Sequence, residues 1–248
     1  MNRPPIDSQQ LPQDYERDGV IRIPGLFRPG EIAAIRAELE RYTRDDLASK
    51  PADAATLEAD AKTVRNLWRL ERHNEKMRAL AEREDLRALV APLVRGEPVL
   101  AGVETFNKPA RIGSGVPYHQ DNAYFCQAPP DMLTVWIAID PVTPENGPIF
   151  FVRGSHKLGT LPTKPSGVRG NSMGMAAPPE VPLEEQFCGL LAAGDATIHH
   201  CNTIHHSAPN TTAHPRLGLL FVFRGSHTQT DSALKAAYTV AAAANPPA

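Results

Sequence analysis

Apolar residues recur at two spacings along this chain, and the change falls near residue 99. Before it, Val20-Ile21-Arg22-Ile23-Pro24 reads as a short strand. Pro29-Gly30 then opens a helix whose apolar positions Ile32, Ile35, Leu39 and Tyr42 keep close to helical spacing. Residues 52–62 read as a solvated helix or loop, 64–70 as a strand, and 74–90 as two helices interrupted near Glu84-Asp85. Beyond residue 99 the runs are short and β-prone, at 99–106, 132–139, 149–152, 196–200 and 217–223, with Pro, Gly and Asn clusters between them.

Helices first and strands afterwards predict a mainly β fold with flanking helices, in which a double-sheet β roll carries the helices on its outside. One domain over residues 1–248 is expected, mainly helical to about 98 and with its β core at about 99–225. Residues 158–191 are rich in Gly, Pro, Ser and Met and read as a lid or binding loop. The first residues read as a loose tail, and the Ala-rich end, Ala241 to Ala244 with Asn245-Pro246-Pro247 behind it, as a frayed one.

Composition narrows the class. Hydrophobic residues make up 42% of 248, enough for a substantial core, while the 24 prolines argue against an all-helical fold. A formal net charge of −2 gives no electrostatic case for nucleic acid or an anionic membrane. No apolar run is long enough to span a bilayer, and the N-terminus carries no secretory pattern. Cys126, Cys188 and Cys201 are odd in number and lack metal-type spacing, so a reducing cytoplasm is the expected location.

The chemistry starts at Tyr118-His119-Gln120-Asp121. On a strand, residues two apart face the same side, so His119 and Asp121 can share a metal while Gln120 faces away. Two imidazoles and one carboxylate on one face of a metal make the triad of non-heme Fe(II) oxygenases. Spacing alone does not choose the third ligand among His199, His200, His205 and His206. The plain reading of His199 and His200 is one core residue bonded to backbone and one exposed residue.

The order of the motifs is more specific. Tyr15-Glu16-Arg17-Asp18-Gly19, Phe106-Asn107-Lys108-Pro109, the His119 step, Thr134 to Asp140, Thr143-Pro144-Glu145-Asn146-Gly147-Pro148, Gly154-Ser155-His156-Lys157, Gly194-Asp195, His205-x-Ser207-x-x-Asn210 and Arg216 follow one another. In that order they resemble the phytanoyl-CoA dioxygenase family of Fe(II)/2-oxoglutarate oxygenases over nearly the whole chain. The resemblance implies a double-stranded β-helix, or jelly roll, with His119, Asp121 and His205 as iron ligands. It implies Arg216 as the fork on the distal carboxylate of 2-oxoglutarate, with a hydroxyl contact from Ser207 and Trp136 at the pocket wall. Lys108 falls near the same pocket, its plain reading being an exposed lysine. No catalytic side chain is expected beyond the metal ligands.

Several departures bear on substrate. His206 stands where the family has glycine, and Arg153 where it commonly has proline. Asn122, Tyr124 and Phe125 follow the His-x-Asp step without the acidic, aromatic-rich stretch of ectoine hydroxylases. Asp121 is present where a related halogenase carries a small residue, which favours hydroxylation. The expected activity is therefore hydroxylation of an unactivated C–H bond of a small or medium metabolite, with Fe(II), 2-oxoglutarate and O2, releasing succinate and CO2. The competing readings are a non-catalytic jelly-roll binding protein and a cupin-type isomerase or hydrolase using Zn or Mn. The latter leaves Arg216 unexplained.

Overall fold

The strand Arg216–Gly225 is buried along nearly its whole length, which a strand achieves only when both faces are covered. In a computed structural model describing residues 10–168 and 171–244, that strand is the centre of a seven-stranded antiparallel sheet. One face packs Leu219, Phe221 and Phe223 under helices, and the other turns Leu220 and Val222 toward the interior of a roll.

The strands in chain order are β1 (Val20–Ile23), β2 (Ala55–Leu57), β3 (Val64–Leu67), β4 (Pro98–Lys108), β5 (Val116–His119), β6 (Gln127–Ala128), β7 (Met132–Ala138) and β8 (Ile149–Phe151). They continue as β9 (Thr163–Val168), β10 (Asn171–Met175), β11 (Phe187–Cys188), β12 (Ala196–His200), β13 (His205–Ser207), β14 (Arg216–Gly225) and β15 (Gln229–Thr230). The helices are α1 (Gln10–Asp18), α2 (Pro29–Arg41), α3 (Leu70–His73), α4 (Glu75–Ala81), α5 (Glu84–Val90), α6 (Asn122–Phe125) and α7 (Ser232–Ala244). The large sheet runs β1-β12-β7-β14-β4-β3-β2, and a four-stranded sheet, β11-β8-β13-β5, faces it. This is the double-stranded β-helix, with the site between its two sheets.

The helical spacing of Ile32, Ile35 and Leu39 is realised in α2, which buries them against the large sheet. Asn74 caps α4 by accepting the Met77 N–H at 3.1 Å. Three expectations change. Residues 52–62 are not simply solvated: β2 pairs with β3 there, and Ala54, Thr56 and Glu58 are buried. The strands expected at 20–24 and 64–70 are β1 and β3, and rather than standing apart from the β core they join the large sheet with β2. The Ala-rich end forms α7 as far as Ala244, alanine being the best helix former. The tail readings at residues 1–9 and 245–248 lie outside the described residues.

Within 158–191, β9 and β10 form a hairpin, and Met173 and Met175 are buried beneath it. The Tyr124 hydroxyl fastens it, donating to the Met173 carbonyl at 2.9 Å and accepting the Met173 N–H at 3.0 Å.

The connection from β13 to β14 carries the chain from one sheet to the other, and Asn210 holds it. Its buried amide donates to the carbonyls of Lys108 (2.9 Å) and His214 (2.7 Å) and accepts the Thr212 N–H (3.0 Å). Removing it takes the side-chain partner from the Lys108 carbonyl and the Thr212 N–H, while the His214 carbonyl keeps only the Thr212 hydroxyl at 3.0 Å. Asn210→Ala is expected to lower stability by roughly 2–4 kcal/mol, read from urea unfolding midpoints.

Candidate active site

His119 and His205 face each other directly across β5 and β13, with ring centroids 4.1 Å apart. Each imidazole is fixed in the same way. His119 Nδ1 lies 2.9 Å from the carbonyl of Pro117, and His205 Nδ1 lies 2.9 Å from that of Thr203. A carbonyl can only accept, so Nδ1 carries the proton and each Nε2 presents a bare lone pair to the interior. Asp121 Oδ1 sits 3.7 Å from His119 Nε2 and 3.5 Å from His205 Nε2. The three donor atoms lie within 4.8 Å of one another, a set that can hold a metal ion.

Strand alternation is not what brings Asp121 to His119. β5 ends at His119, and Asp121 has helical dihedrals (φ −61°, ψ −32°) at the head of α6. Gln120 faces away from the metal donors, as alternation requires, and is buried rather than solvated. Its amide donates to the carbonyls of Gly159 (2.9 Å) and Asn202 (2.7 Å) and accepts the Leu161 N–H (2.7 Å), which pins the turn.

The second carboxylate oxygen of Asp121 is already engaged. Oδ2 accepts the Thr134 hydroxyl at 3.0 Å and the His199 Nε2–H at 3.1 Å, both from the large sheet. Burial alone would raise the Asp121 pKa, but His205, His199 and His119 outweigh it and hold the carboxyl well below the usual range. Burial pushes His119 and His205 down, so both stay neutral. A charged carboxylate between two neutral imidazoles is the protonation state a divalent cation needs.

From this set a cavity runs past Phe106, Trp136 and Leu220 to Arg216. Arg216 is 2% exposed, and its Nε and Nη1 have no hydrogen-bond partner. Its guanidinium carbon sits 5.1 Å from the centre of the Trp136 ring. Asp140 is the attractive charge nearby, but it is taken by Arg36 (2.6 Å) and the Leu217 N–H (2.9 Å). Trp136 lies flat on Gly218: a Cβ there would stand 2.1 Å from the indole Cζ2, so only glycine admits the ring. Ser207 also lines the cavity.

Other predicted residues lie elsewhere. Lys108 is neither exposed nor on the cavity wall. It is buried, and Nζ donates to the carbonyls of Ser114 (2.7 Å) and Ala208 (2.6 Å), with burial pushing its pKa down to about 6. Arg153 turns from the cavity to Asp18 at 2.9 Å. His206 does line the cavity, packed between Tyr118 and Phe150 and bonded to Gln186 at 3.1 Å. Neither upstream histidine is exposed: the core one, His199, bonds Asp121 rather than backbone, and the half-buried His200 accepts the Asn202 N–H at 3.0 Å. Asn122 is buried and bonds Thr160 at 2.9 Å, and Phe125 packs on Met132, Cys201 and Val222.

Sequence reasoning missed Thr134 and His199 as partners of Asp121. It also missed Glu104, a half-buried carboxyl on the inward face of β4, opposite Leu220, that makes no hydrogen bond or ion pair with the described residues. Burial, then Asp121 and Glu71, push Glu104 up to about 8.

The comparisons agree with this fold. The model of the family described as phytanoyl-CoA dioxygenase matches residues 15–218, and the chain belongs to that family. The ectoine dioxygenase of Stutzerimonas stutzeri (strain A1501) is 28% identical, over 92% of this chain and 79% of its own. The L-proline trans-4-hydroxylase of Streptomyces griseoviridis is 27% identical, over 84% and 83%. Among solved structures, EctD from S. alaskensis with 2-oxoglutarate and 5-hydroxyectoine superimposes with a TM-score of 0.76 at 21% identity, covering 93% of this chain and 80% of that one. The epimerase SnoN with Fe3+, alpha ketoglutarate and nogalamycin RO gives 0.73 at 24%, covering 90% and 85%.

Two predictions follow from the groups around Asp121. His199→Phe fills the space but leaves Oδ2 to Thr134 alone, so Fe(II) affinity should fall about 10- to 100-fold in a chelator competition. Glu104 holds a proton in the folded protein that the unfolded chain loses near pH 4.5. Metal-free protein should therefore lose stability as pH rises from about 4.5 to about 8. Glu104→Gln should remove that part of the slope in urea unfolding midpoints.

Proposed function

We propose that this member of the phytanoyl-CoA dioxygenase family is an Fe(II)- and 2-oxoglutarate-dependent hydroxylase acting on an unactivated C–H bond of a small or medium metabolite. The observation that carries the reading is the pairing of two unmet demands across one cavity. At one end, three metal-competent donor atoms converge; at the other, a buried guanidinium has two N–H groups without acceptors. Buried polar groups are nearly always satisfied, so Arg216 requires a ligand acceptor, and a carboxylate matches its fork. A molecule with a chelating keto acid at one end and a carboxylate at the other answers both demands.

His119 Nε2, Asp121 Oδ1 and His205 Nε2 hold the iron. Arg216 holds the distal carboxylate of 2-oxoglutarate, with Ser207 beside it and Trp136 as wall. Bound there, iron and 2-oxoglutarate supply the oxidising power that inserts oxygen from O2 into a C–H bond, releasing succinate and CO2. The protein's part is placement and protection. Thr134 and His199 fix Asp121 so that one oxygen faces the metal, and the apolar wall of Phe106, Trp136 and Leu220 keeps water away. Tyr124 ties the β9–β10 hairpin beside His119, its ring 6.0 Å from the imidazole, as the cover of the substrate side.

The relatives' small polar substrates support a metabolite of that size. Ectoine itself is disfavoured by the missing acidic, aromatic-rich stretch after Asp121. We read residues 1–248 as a single domain, since the large sheet takes strands from both parts of the chain. The cytoplasm is the proposed location, supported by three free cysteines, two of them buried. No helix among the described residues is long and apolar enough to cross a membrane.

The test is calorimetric titration of 2-oxoglutarate into anaerobic, Fe(II)-loaded protein, beside Arg216→Lys. Wild type should bind tightly and only with metal. Lysine cannot reproduce the fork, and loss of roughly 2–4 kcal/mol should weaken binding about 30- to 1000-fold. A metal-loaded wild type that ignores 2-oxoglutarate refutes the oxygenase reading.

A further inference from the structure

We infer that Glu104 selects the substrate, receiving a cationic nitrogen (an ammonium or amidinium group) in the space above Gly102. The inference rests on the hydroxylase reading, since it assigns the space that adjoins that cavity beyond Phe106 and Leu220.

The geometry comes from the register of the large sheet. On the inward face of β4, Phe106 and Glu104 follow one another, and Phe106 lines the cavity. Glu104 stands opposite Leu220, which also lines it. One step along the sheet, Gly102 stands opposite Val222, Val222 opposite Thr134, and Thr134 holds Asp121. The row of Gly102 is therefore the row of the metal ligand, on the far side of Glu104 from Arg216. The Glu104 carboxyl leans toward that row. A Cβ built on Gly102 would meet its Oε1 at 3.5 Å and nothing else within 4 Å. Gly102 is buried, yet the volume above it is open, with one carboxylate oxygen at its rim.

Nothing in the described protein answers that carboxyl. Asp121 and Glu71 repel its negative form, and Arg69 alone attracts it. Arg69 is engaged elsewhere, with Asp53 at 2.7 Å. Glu71 is spent on the Val103 N–H at 2.8 Å. A half-buried, unpaired carboxyl costs the fold stability that glutamine or leucine would not, which marks it as a ligand group. Charge arithmetic gives the sign of the ligand. A metal dication, Asp121, the dianion of 2-oxoglutarate and Arg216 sum to neutrality, so an ionised Glu104 leaves the loaded site one negative charge in surplus. A cation on the substrate cancels it and takes the place of the proton that Glu104 otherwise holds. Val222, with Met132 and Phe125 packed on it, gives the same end an apolar side suited to a small organic cation rather than a metal ion.

Acetamidinium is the probe, because its two N–H groups fork onto a carboxylate, and neutral acetamide is its control. The anaerobic Fe(II)·2-oxoglutarate complex is titrated with each, and the paramagnetic relaxation of the probe's methyl protons is followed by NMR in wild type and Glu104→Gln. The visible absorption band of iron-bound 2-oxoglutarate is recorded in every sample. Saturable relaxation by acetamidinium, at least tenfold stronger than by acetamide and reduced at least tenfold in Glu104→Gln, supports the inference. Equal responses to the two probes, no saturable response to acetamidinium, or a response unchanged in Glu104→Gln overturns it. Because the band reports the metal and co-substrate separately, its absence from wild type refutes the hydroxylase reading instead.

Discussion

Everything in this active site depends on how one carboxylate is shared between two sheets. The backbone of Asp121 follows the end of β5, at the head of α6, so the small sheet carries it, while its Oδ2 is held by Thr134 and His199 of β7 and β12 in the large one. The two sheets of the roll are thereby locked together at the point where the metal donors meet. The same sharing decides which oxygen remains for chemistry. With Oδ2 saturated by two donors, Oδ1 is left facing the two Nε2 atoms. A carboxylate free to rotate would offer either oxygen, or both, and the cavity beyond it would have no fixed origin.

A second constraint follows from burying charges of opposite sign at the two ends of one cavity. Asp121 is kept anionic with the Thr134 hydroxyl and the His199 Nε2–H on its Oδ2, whereas Arg216 is kept apart from its nearest carboxylate because Asp140 already serves Arg36 and the Leu217 backbone. An arginine satisfied within the fold would have no reason to hold a ligand. This one is left with two N–H groups open, a cost of a few kcal/mol that is recovered only when an acceptor arrives. Trp136 and Gly218 set the geometry of that end, since the ring occupies the space a side chain at 218 would need. The buried Lys108 belongs to the scaffold around this end, joining β4 to the loops at Ser114 and Ala208.

Much of this was legible in the sequence, and the failures have physical causes. The short β-prone runs gave the β core because long-buried strands such as β7 and β14 are nearly continuous in apolar residues. The helical spacing of Ile32, Ile35 and Leu39 gave α2 for the same kind of reason. Short strands like β2 carry too few residues for any period to emerge, and pairing with β3 decides their conformation. In the site, His119, Asp121 and Arg216 were readable because motif order fixes them. The stated reason for His119 and Asp121 converging was only partly sound, since a helical turn rather than strand alternation presents the carboxylate. His199 was not readable as a partner of Asp121, because nothing in Ile198-His199-His200 says which imidazole faces a carboxylate brought from 78 residues away.

Kinship constrains the two ends of the cavity unequally. The metal-competent donors and Arg216 fall within the ordered family motifs, so motif order suffices to locate them. The end toward Glu104, Tyr124 and the β9–β10 hairpin faces the substrate, and identity of about a quarter with enzymes named for ectoine and proline leaves that end free to differ. It does differ in this chain: His206 fills a place where glycine is usual, stacked between Tyr118 and Phe150, so its ring narrows the cavity wall. His206 lines the cavity at β13, and on β4 the space above Gly102 stays clear except for the unpaired carboxyl at its rim. Shape and charge therefore point to the same side of the roll, which is where a substrate must make the contacts that distinguish it from any other molecule the shared machinery would oxidise.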